Sequence, residues 1–199
     1  MSTKIFLASA SDIRRKLLDS AGVEYTAVKP MVDENVIIAS MQAEAVEPRD
    51  IADALAEHKA RKISLKHPDA LVIGCDQILD LHGEILQKPT DQQDARNHLA
   101  KLSGQSHNLW SAAVIYQDGG PLWRHVGGVR LQMRTLSEPY LEDYLLRNWE
   151  SVRHSVGCYK LEEEGVRLFS SIKGDYFCVL GLPLVELLDH LTRTGVLNG

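Results

Sequence analysis

Hydrophobic and polar positions along the chain follow two periods, and the switches between them predict the elements. Ile5 to Ala8 is a short apolar run that reaches Ser11, after which Ile13, Leu17, Leu18 and Ala21 recur along one helical face as far as Gly22. This predicts strand, loop and helix, with Ser11 as N-cap and Gly22 as stop. Residues 49–66 predict a second helix with Ile51, Ala54, Leu55 and His58 on its buried stripe and Pro68 beyond its end. Ala70 to Ile73 predicts an apolar strand that opens into Gly74-Cys75-Asp76-Gln77. Ile78 to Leu81 and Glu84 to Leu86 flank His82-Gly83, a two-residue hairpin signal. Asp91 is placed to cap a helix carrying Ala95, His98, Leu99 and Leu102, which Gly104 ends. Long strands follow near 107–117 and 122–135, joined at Asp118-Gly119-Gly120, and then a short helix from Tyr140 to Asn148. The last part reads as strands near 166–172 and 176–180 around Lys173-Gly174-Asp175, then a helix from Pro183 to about Thr194. Strands and helices alternate without a strict β-α-β rhythm, which predicts an α/β fold with a mixed sheet flanked by helices.

Length and composition narrow the class. With 199 residues, 44% hydrophobic and 25% charged, the chain is expected to form a single globular domain over 1–199 with a core that needs no staple. The formal charge of −5, from 27 acids against 22 bases, argues against a dedicated binder of duplex nucleic acid or anionic membrane. Any bound anion must be held by a local cluster. Cys75, Cys158 and Cys178 have no paired spacing and read as reduced thiols. The opening residues lack a signal-peptide pattern and no apolar run approaches about 18 residues, so a cytoplasmic location without a membrane span is expected.

Candidate chemistry begins with Arg14-Arg15 in the first turn predicted for the opening helix. Cations there oppose the helix dipole at a cost of roughly 0.3–1 kcal/mol each, so local stability does not account for them. One reading is a pair of solvated arginines. The other is a phosphate cradle formed with Ser11 and the helix N–H groups, which the position after a buried strand favours. Asp76 is expected at the mouth of the sheet, beyond the strand's end. Asp33-Glu34 adds further acids, and carboxylates facing phosphate call for a divalent cation between them. Turn or cap roles for Glu34 and Asp76 are the alternative. Lys59 and Lys88 are isolated lysines of the kind that usually stay in solvent. Neither a Walker loop, a Gly-x-Gly-x-x-Gly turn, a zinc spacing nor a Gly-x-Ser-x-Gly elbow occurs.

Eight blocks fall in an order that resembles the Maf family: Leu7-Ala8-Ser9-Ala10-Ser11, Arg14-Arg15, Val32-Asp33-Glu34, His58-Lys59-Ala60, Gly74-Cys75-Asp76-Gln77, Leu86-Gln87-Lys88-Pro89, Lys101-Leu102-Ser103-Gly104 and Gly181-Leu182-Pro183-Leu184. The resemblance runs from about residue 5 to 191. It implies an elongated, two-lobed Maf/ITPase-like fold around a central cleft, often a homodimer. The implied enzyme is a nucleoside triphosphate pyrophosphatase that releases monophosphate and pyrophosphate with a divalent metal such as Mg²⁺ or Mn²⁺. Carried over, Ser11, Arg14 and Arg15 bind phosphates, Glu34 and Asp76 hold the metal, and Lys59 and Lys88 join them in catalysis, with Asp76 as proton acceptor.

The block His154-Ser155-Val156-Gly157-Cys158-Tyr159-Lys160-Leu161-Glu162, the extra residue before Arg14-Arg15 and Gln77 after Asp76 resemble the branch that prefers 7-methyl-GTP, with Gln77, Lys160 and Glu162 toward the substrate. This chain has Ile13 where that branch often carries Trp, and Asp12 where Pro is usual. Two other classes are weighed against the enzyme. A nucleotide-binding regulator linked to septum formation could dispense with Asp76, which this chain keeps, and a single-strand nucleic-acid binder would need a basic groove lined with aromatics.

Overall fold

The computed structural model describes residues 3–198. Its first strand, β1 (Ile5–Ala8), feeds α1 (Asp12–Ser20), followed by the two-residue β2 (Thr26–Ala27), α2 (Glu34–Ala43) and α3 (Pro48–Ser64). The chain continues through β3 (Leu71–Leu81), β4 (Glu84–Leu86), α4 (Gln92–Leu102), β5 (Ser106–Gln117) and β6 (Gly120–Met133). After α5 (Glu138–Val152) come two 3₁₀ turns, then β7 (Phe169–Lys173), α6 (Tyr176–Val179) and α7 (Leu184–Arg193). The strands form one mixed sheet in the order β2-β1-β3-β5-β6-β7, with β4 paired to β3. β1 runs parallel to β2 and β3, while the β3–β4 and β6–β7 pairs are antiparallel.

The chain divides into two compact units. The first comprises the described residues up to Gln77, with Trp110–Gly127 and Asp175 onward; the second comprises Ile78–Leu109 and Gly128–Gly174. In the first, Ile5 and Leu7 of β1, Leu71 and Ile73 of β3 and Ile115 of β5 pack with Leu17 and Leu18 of α1 and Leu187 and Leu191 of α7. In the second, α4 packs against α5, and Tyr159 meets Phe169 edge-on at 4.8 Å beside the buried His107. Among the described residues no helix is long and apolar enough to cross a membrane.

Turn chemistry agrees with the sequence. His82 and Gly83 have φ of 55° and 93°, and Asp118 and Gly119 of 49° and 69°, the left-handed pairs that two-residue hairpins require. The helix over 49–66 is α3 with its ends moved by a residue or two. Its buried stripe is corrected: Ile51, Ala52, Leu55, Ala56, Lys59, Ala60 and Ile63 face inward, and His58 is exposed. The predicted strand near 176–180 is instead α6, because the Asp175 carboxylate accepts a hydrogen bond from the Cys178 N–H at 2.7 Å and closes a helical turn. The hydrophobic pattern gives no sign of α2; its N-cap is Asp33, which accepts from the Val36 N–H at 3.2 Å.

β3 is longer than its apolar run predicts. It does not end at Ile73 but runs on to Leu81, so Asp76 lies within a strand and not in a loop after one. Gly74 does not break it, since its role is clearance: a Cβ there would come 2.2 Å from the Ala56 carbonyl oxygen and 2.6 Å from the Ala60 nitrogen. Glycine therefore lets α3 lie directly on β3. β1 pairs β3 only as far as Ala8 with Gly74, so Asp76 still stands two residues beyond that parallel ladder.

Candidate functional site

Close approach of α3 to β3 has a chemical result two residues along. Lys59 is only 6% exposed and Asp76 only 5%, and the Lys59 ammonium bonds the Asp76 carboxylate directly. Glu34, the first residue of α2, reaches the same ammonium at 2.7 Å. One buried cation thus joins two carboxylates carried by different elements. Burial raises the Asp76 pKa above its ordinary value, and the neighbouring Lys59 and Arg14 charges pull the other way. Lys59 is accordingly no surface lysine, because both carboxylates compensate the desolvation of its charge.

Arg14 and Arg15 have separate fates. Arg14 is 9% exposed; its Nε donates to the Gly181 carbonyl at 2.7 Å, and Nη1 donates to the Cys75 carbonyl at 3.0 Å and Ser9 Oγ at 3.4 Å. It ties α1 to β3 and to the turn before α7. Neither a solvated pair nor a free two-arginine cradle describes it. Arg15 is more open and is ion-paired with the exposed Asp12, an interaction worth at most about 1 kcal/mol. Ser11 has the extended backbone of an N-cap without a side-chain cap bond, leaving its hydroxyl uncommitted to α1, while its N–H donates to Ser9 Oγ at 3.2 Å.

The two arginines should therefore respond differently to truncation. Arg14→Ala strands two buried carbonyls and is expected to cost about 2–4 kcal/mol of stability. Arg15→Ala should change stability by less than about 1 kcal/mol. If Arg15 grips phosphate, its loss removes a charged hydrogen bond of about 1.5–3 kcal/mol, a fall of roughly 10- to 100-fold in kcat/KM. Thermal unfolding and steady-state kinetics on both variants measure this contrast.

Gln77 follows Asp76 in β3, so its side chain leaves from the other face of the strand. Its Nε2 donates at 3.0 Å to each of Ser111 Oγ, the Cys178 carbonyl and the Val179 carbonyl. Ser111 in turn donates to the Cys178 carbonyl at 2.6 Å. The amide is thereby oriented, and what it retains to offer a ligand is its acceptor oxygen. Ile13 packs against the apolar core of the first unit. Cys75 is fully buried, which pushes its thiol up to about 11 and leaves it protonated and unreactive at neutral pH.

The remaining sequence candidates lie in the second unit. Lys88, after β4, is exposed and forms no ion pair among the described residues. Lys160 donates to Ser151 Oγ at 2.7 Å and Glu163 at 3.2 Å, so its ammonium is already engaged, and Glu162 is exposed. Sequence reasoning missed Ser111 and the Gly181 carbonyl as supports, since partners 34 and 167 residues away leave no local pattern.

Glu34, Lys59 and Asp76 gather just past the end of the parallel β1–β3 ladder of this α/β protein, in the position where such sheets collect ligands. The Maf-like protein family model matches residues 4–194, and the chain belongs to the Maf family. It is 58% identical to a nucleoside triphosphate pyrophosphatase of Ruegeria pomeroyi over 198 residues, covering 100% of both chains. A protein of that name from Caulobacter vibrioides is 51% identical with 98% of each chain covered, and a 7-methyl-GTP pyrophosphatase of Mesorhizobium japonicum is 45% identical with 100% of each covered.

Proposed function

We propose that this chain hydrolyses nucleoside triphosphates between the α and β phosphates, releasing nucleoside monophosphate and pyrophosphate. The observation that carries this reading is the Glu34–Lys59–Asp76 cluster, with Ser11 and Arg15 in the neighbouring β1–α1 segment. Full-length relatives named for that activity support it.

Divalent metal is part of the proposal, and the donor set fits one. Two carboxylates already converge on one compact cation, and Mg²⁺ takes one or two carboxylates together with phosphate oxygens and water. Two carboxylates do not by themselves complete a metal shell, so phosphate oxygens and water would supply the rest. Glu34 and Asp76 would hold the metal, which when bound neutralises phosphate charge and makes a water easier to ionise. Asp76 accepts the proton of the attacking water at a carboxylate oxygen; its burial makes it a stronger base than an exposed carboxylate. Lys59 holds both carboxylates in place, and Arg15 and the Ser11 hydroxyl bind phosphate oxygens. Water attacks the α phosphorus, the bridge to the β phosphate breaks, and pyrophosphate departs.

For the base, the proposed preference is 7-methyl-GTP over UTP or dTTP. Support comes from the acceptor oxygen that the Gln77 amide retains and from relatives at 45% and 43% identity named 7-methyl-GTP pyrophosphatase. A methylated guanine is cationic with N–H donors on its edge, so it suits an acceptor such as the Gln77 amide oxygen. Ile13 offers no ring to stack on, and a cation–π contact worth about 0.5–2 kcal/mol is forgone. Competition between 7-methyl-GTP and UTP, read as pyrophosphate release, is expected to favour the methylated nucleotide. Preference for UTP overturns the base assignment, and absence of pyrophosphate release from every nucleotide overturns the enzyme.

A further inference from the structure

β6 and β7 carry a feature that the proposed reaction does not use. Along β6, Val129, Leu131 and Met133 are buried, while Arg130 and Gln132 stand on the opposite face. β7 runs antiparallel to it, with Lys173 directly opposite Arg130 and Ser171 opposite Gln132. The register then slips, and Phe169 becomes the partner of Met133. Ser170 is the extra residue of this bulge; it sends Phe169 into the core while Ser171 and Lys173 stay on the outer face with Arg130.

A guanidinium and an ammonium are thus cross-strand neighbours, with Cβ atoms about 4.5–5.5 Å apart by the geometry of such pairs. Like charges so placed repel each other. Neither forms an ion pair among the described residues, in a chain where acids outnumber bases by 27 to 22. Together with Ser106, Gln132 and Ser171 they line a depression of about 370 Å³. Both side chains are exposed, so solvent screens their repulsion in part, and a multivalent anion seated between them would relieve the rest.

We propose that this face of the second unit binds a small condensed-phosphate anion, with pyrophosphate as the minimal ligand. The Arg130 fork matches two oxygens of one phosphate, Lys173 supplies a point charge to the next, and the Ser171 hydroxyl adds a donor. Free pyrophosphate and the polyphosphate tail of a nucleotide share this chemistry. Nucleic acid does not fit as well, because no aromatic side chain lines the depression for a base to stack on. The proposal stands on this face alone and does not depend on Asp76 or on the reaction proposed above.

Calorimetric titration of the full chain with pyrophosphate, in excess chelator, tests it. Three proteins are compared: the unmodified chain, the doubly neutralised Arg130→Gln/Lys173→Gln variant, and Arg15→Ala. Saturable binding is expected in the unmodified chain and in Arg15→Ala, with at least a tenfold loss of affinity in the double variant. That variant should keep its turnover of nucleoside triphosphate within about twofold, so failure of the proposed reaction and failure of this site are read separately. Unchanged affinity in the double variant overturns the proposal, as does loss of all binding in Arg15→Ala. Binding of a nucleoside monophosphate as tight as that of pyrophosphate, or preference for a single-stranded oligonucleotide, overturns it too. A non-hydrolysable nucleoside triphosphate is the last titrant, compared between Arg15→Ala and the same variant with Arg130 and Lys173 also changed to Gln: weaker binding in the latter supports the nucleotide tail as the source of the ligand, and equal affinity overturns that source and leaves free pyrophosphate.

Discussion

Asp76→Asn is expected to lower turnover by at least about 100-fold, the usual loss when a general base is removed, while the chain stays folded. Asparagine keeps the shape and an acceptor oxygen for Lys59, and Lys59 keeps Glu34 at 2.7 Å. What disappears is the proton-accepting charge. In the native chain burial raises the pKa of that carboxyl above its ordinary value, so once ionised it takes up a proton more readily than an exposed aspartate does. Pyrophosphate release and nucleotide binding in chelator measure the two halves of the expectation: the first falls and the second persists. Turnover close to that of the unmodified chain removes Asp76 from the mechanism. Nucleotide binding without turnover in the unmodified chain itself would favour a regulator.

Lys59→Met has the largest expected effect on stability, about 3–5 kcal/mol, because methionine fills the space of the stem but leaves the buried Asp76 carboxylate without its cation. The deficit should shrink as pH falls and Asp76 takes a proton, since a neutral carboxyl needs no partner. Adding Asp76→Asn to Lys59→Met should recover part of the loss, a coupling that denaturant unfolding of both single variants and the double variant measures directly. Strict additivity of the two losses would mean that the pair contributes nothing as a pair.

Much of the fold was legible because it is specified locally. His82-Gly83 and Asp118-Gly119 announce their hairpins through the left-handed conformations that such turns need, and Asp91 announces α4 by capping it. Where a segment is short and apolar, local pattern fails. Residues 176–180 fit a strand as well as a helix, and the Asp175 cap decides for the helix. β3 was cut short for a related reason: Gly74 reads as punctuation along the chain, and only α3 lying against it reveals a clearance glycine. The same packing explains Lys59, whose place inside follows from Ala52, Ala56 and Ala60 bringing α3 flush with the sheet.

The candidate site divides along the same line. Ordered motifs singled out Ser11, Arg14, Arg15, Glu34, Lys59, Asp76 and Gln77, since residue type and spacing are properties of the sequence. Sequence alone could not separate Arg14 from Arg15, because adjacent helical positions point in directions about 100° apart and only the fold says which meets the Gly181 and Cys75 carbonyls. Nor could it supply the acids that surround Lys59 or the carbonyls that orient Gln77. The sequence by itself determined which elements form, which turns join them and which residue types are available for phosphate and metal. Tertiary structure alone decided which of those residues are buried together and which stay in solvent, because burial, and with it the energy of every charge in the site, depends on partners that lie tens of residues away along the chain.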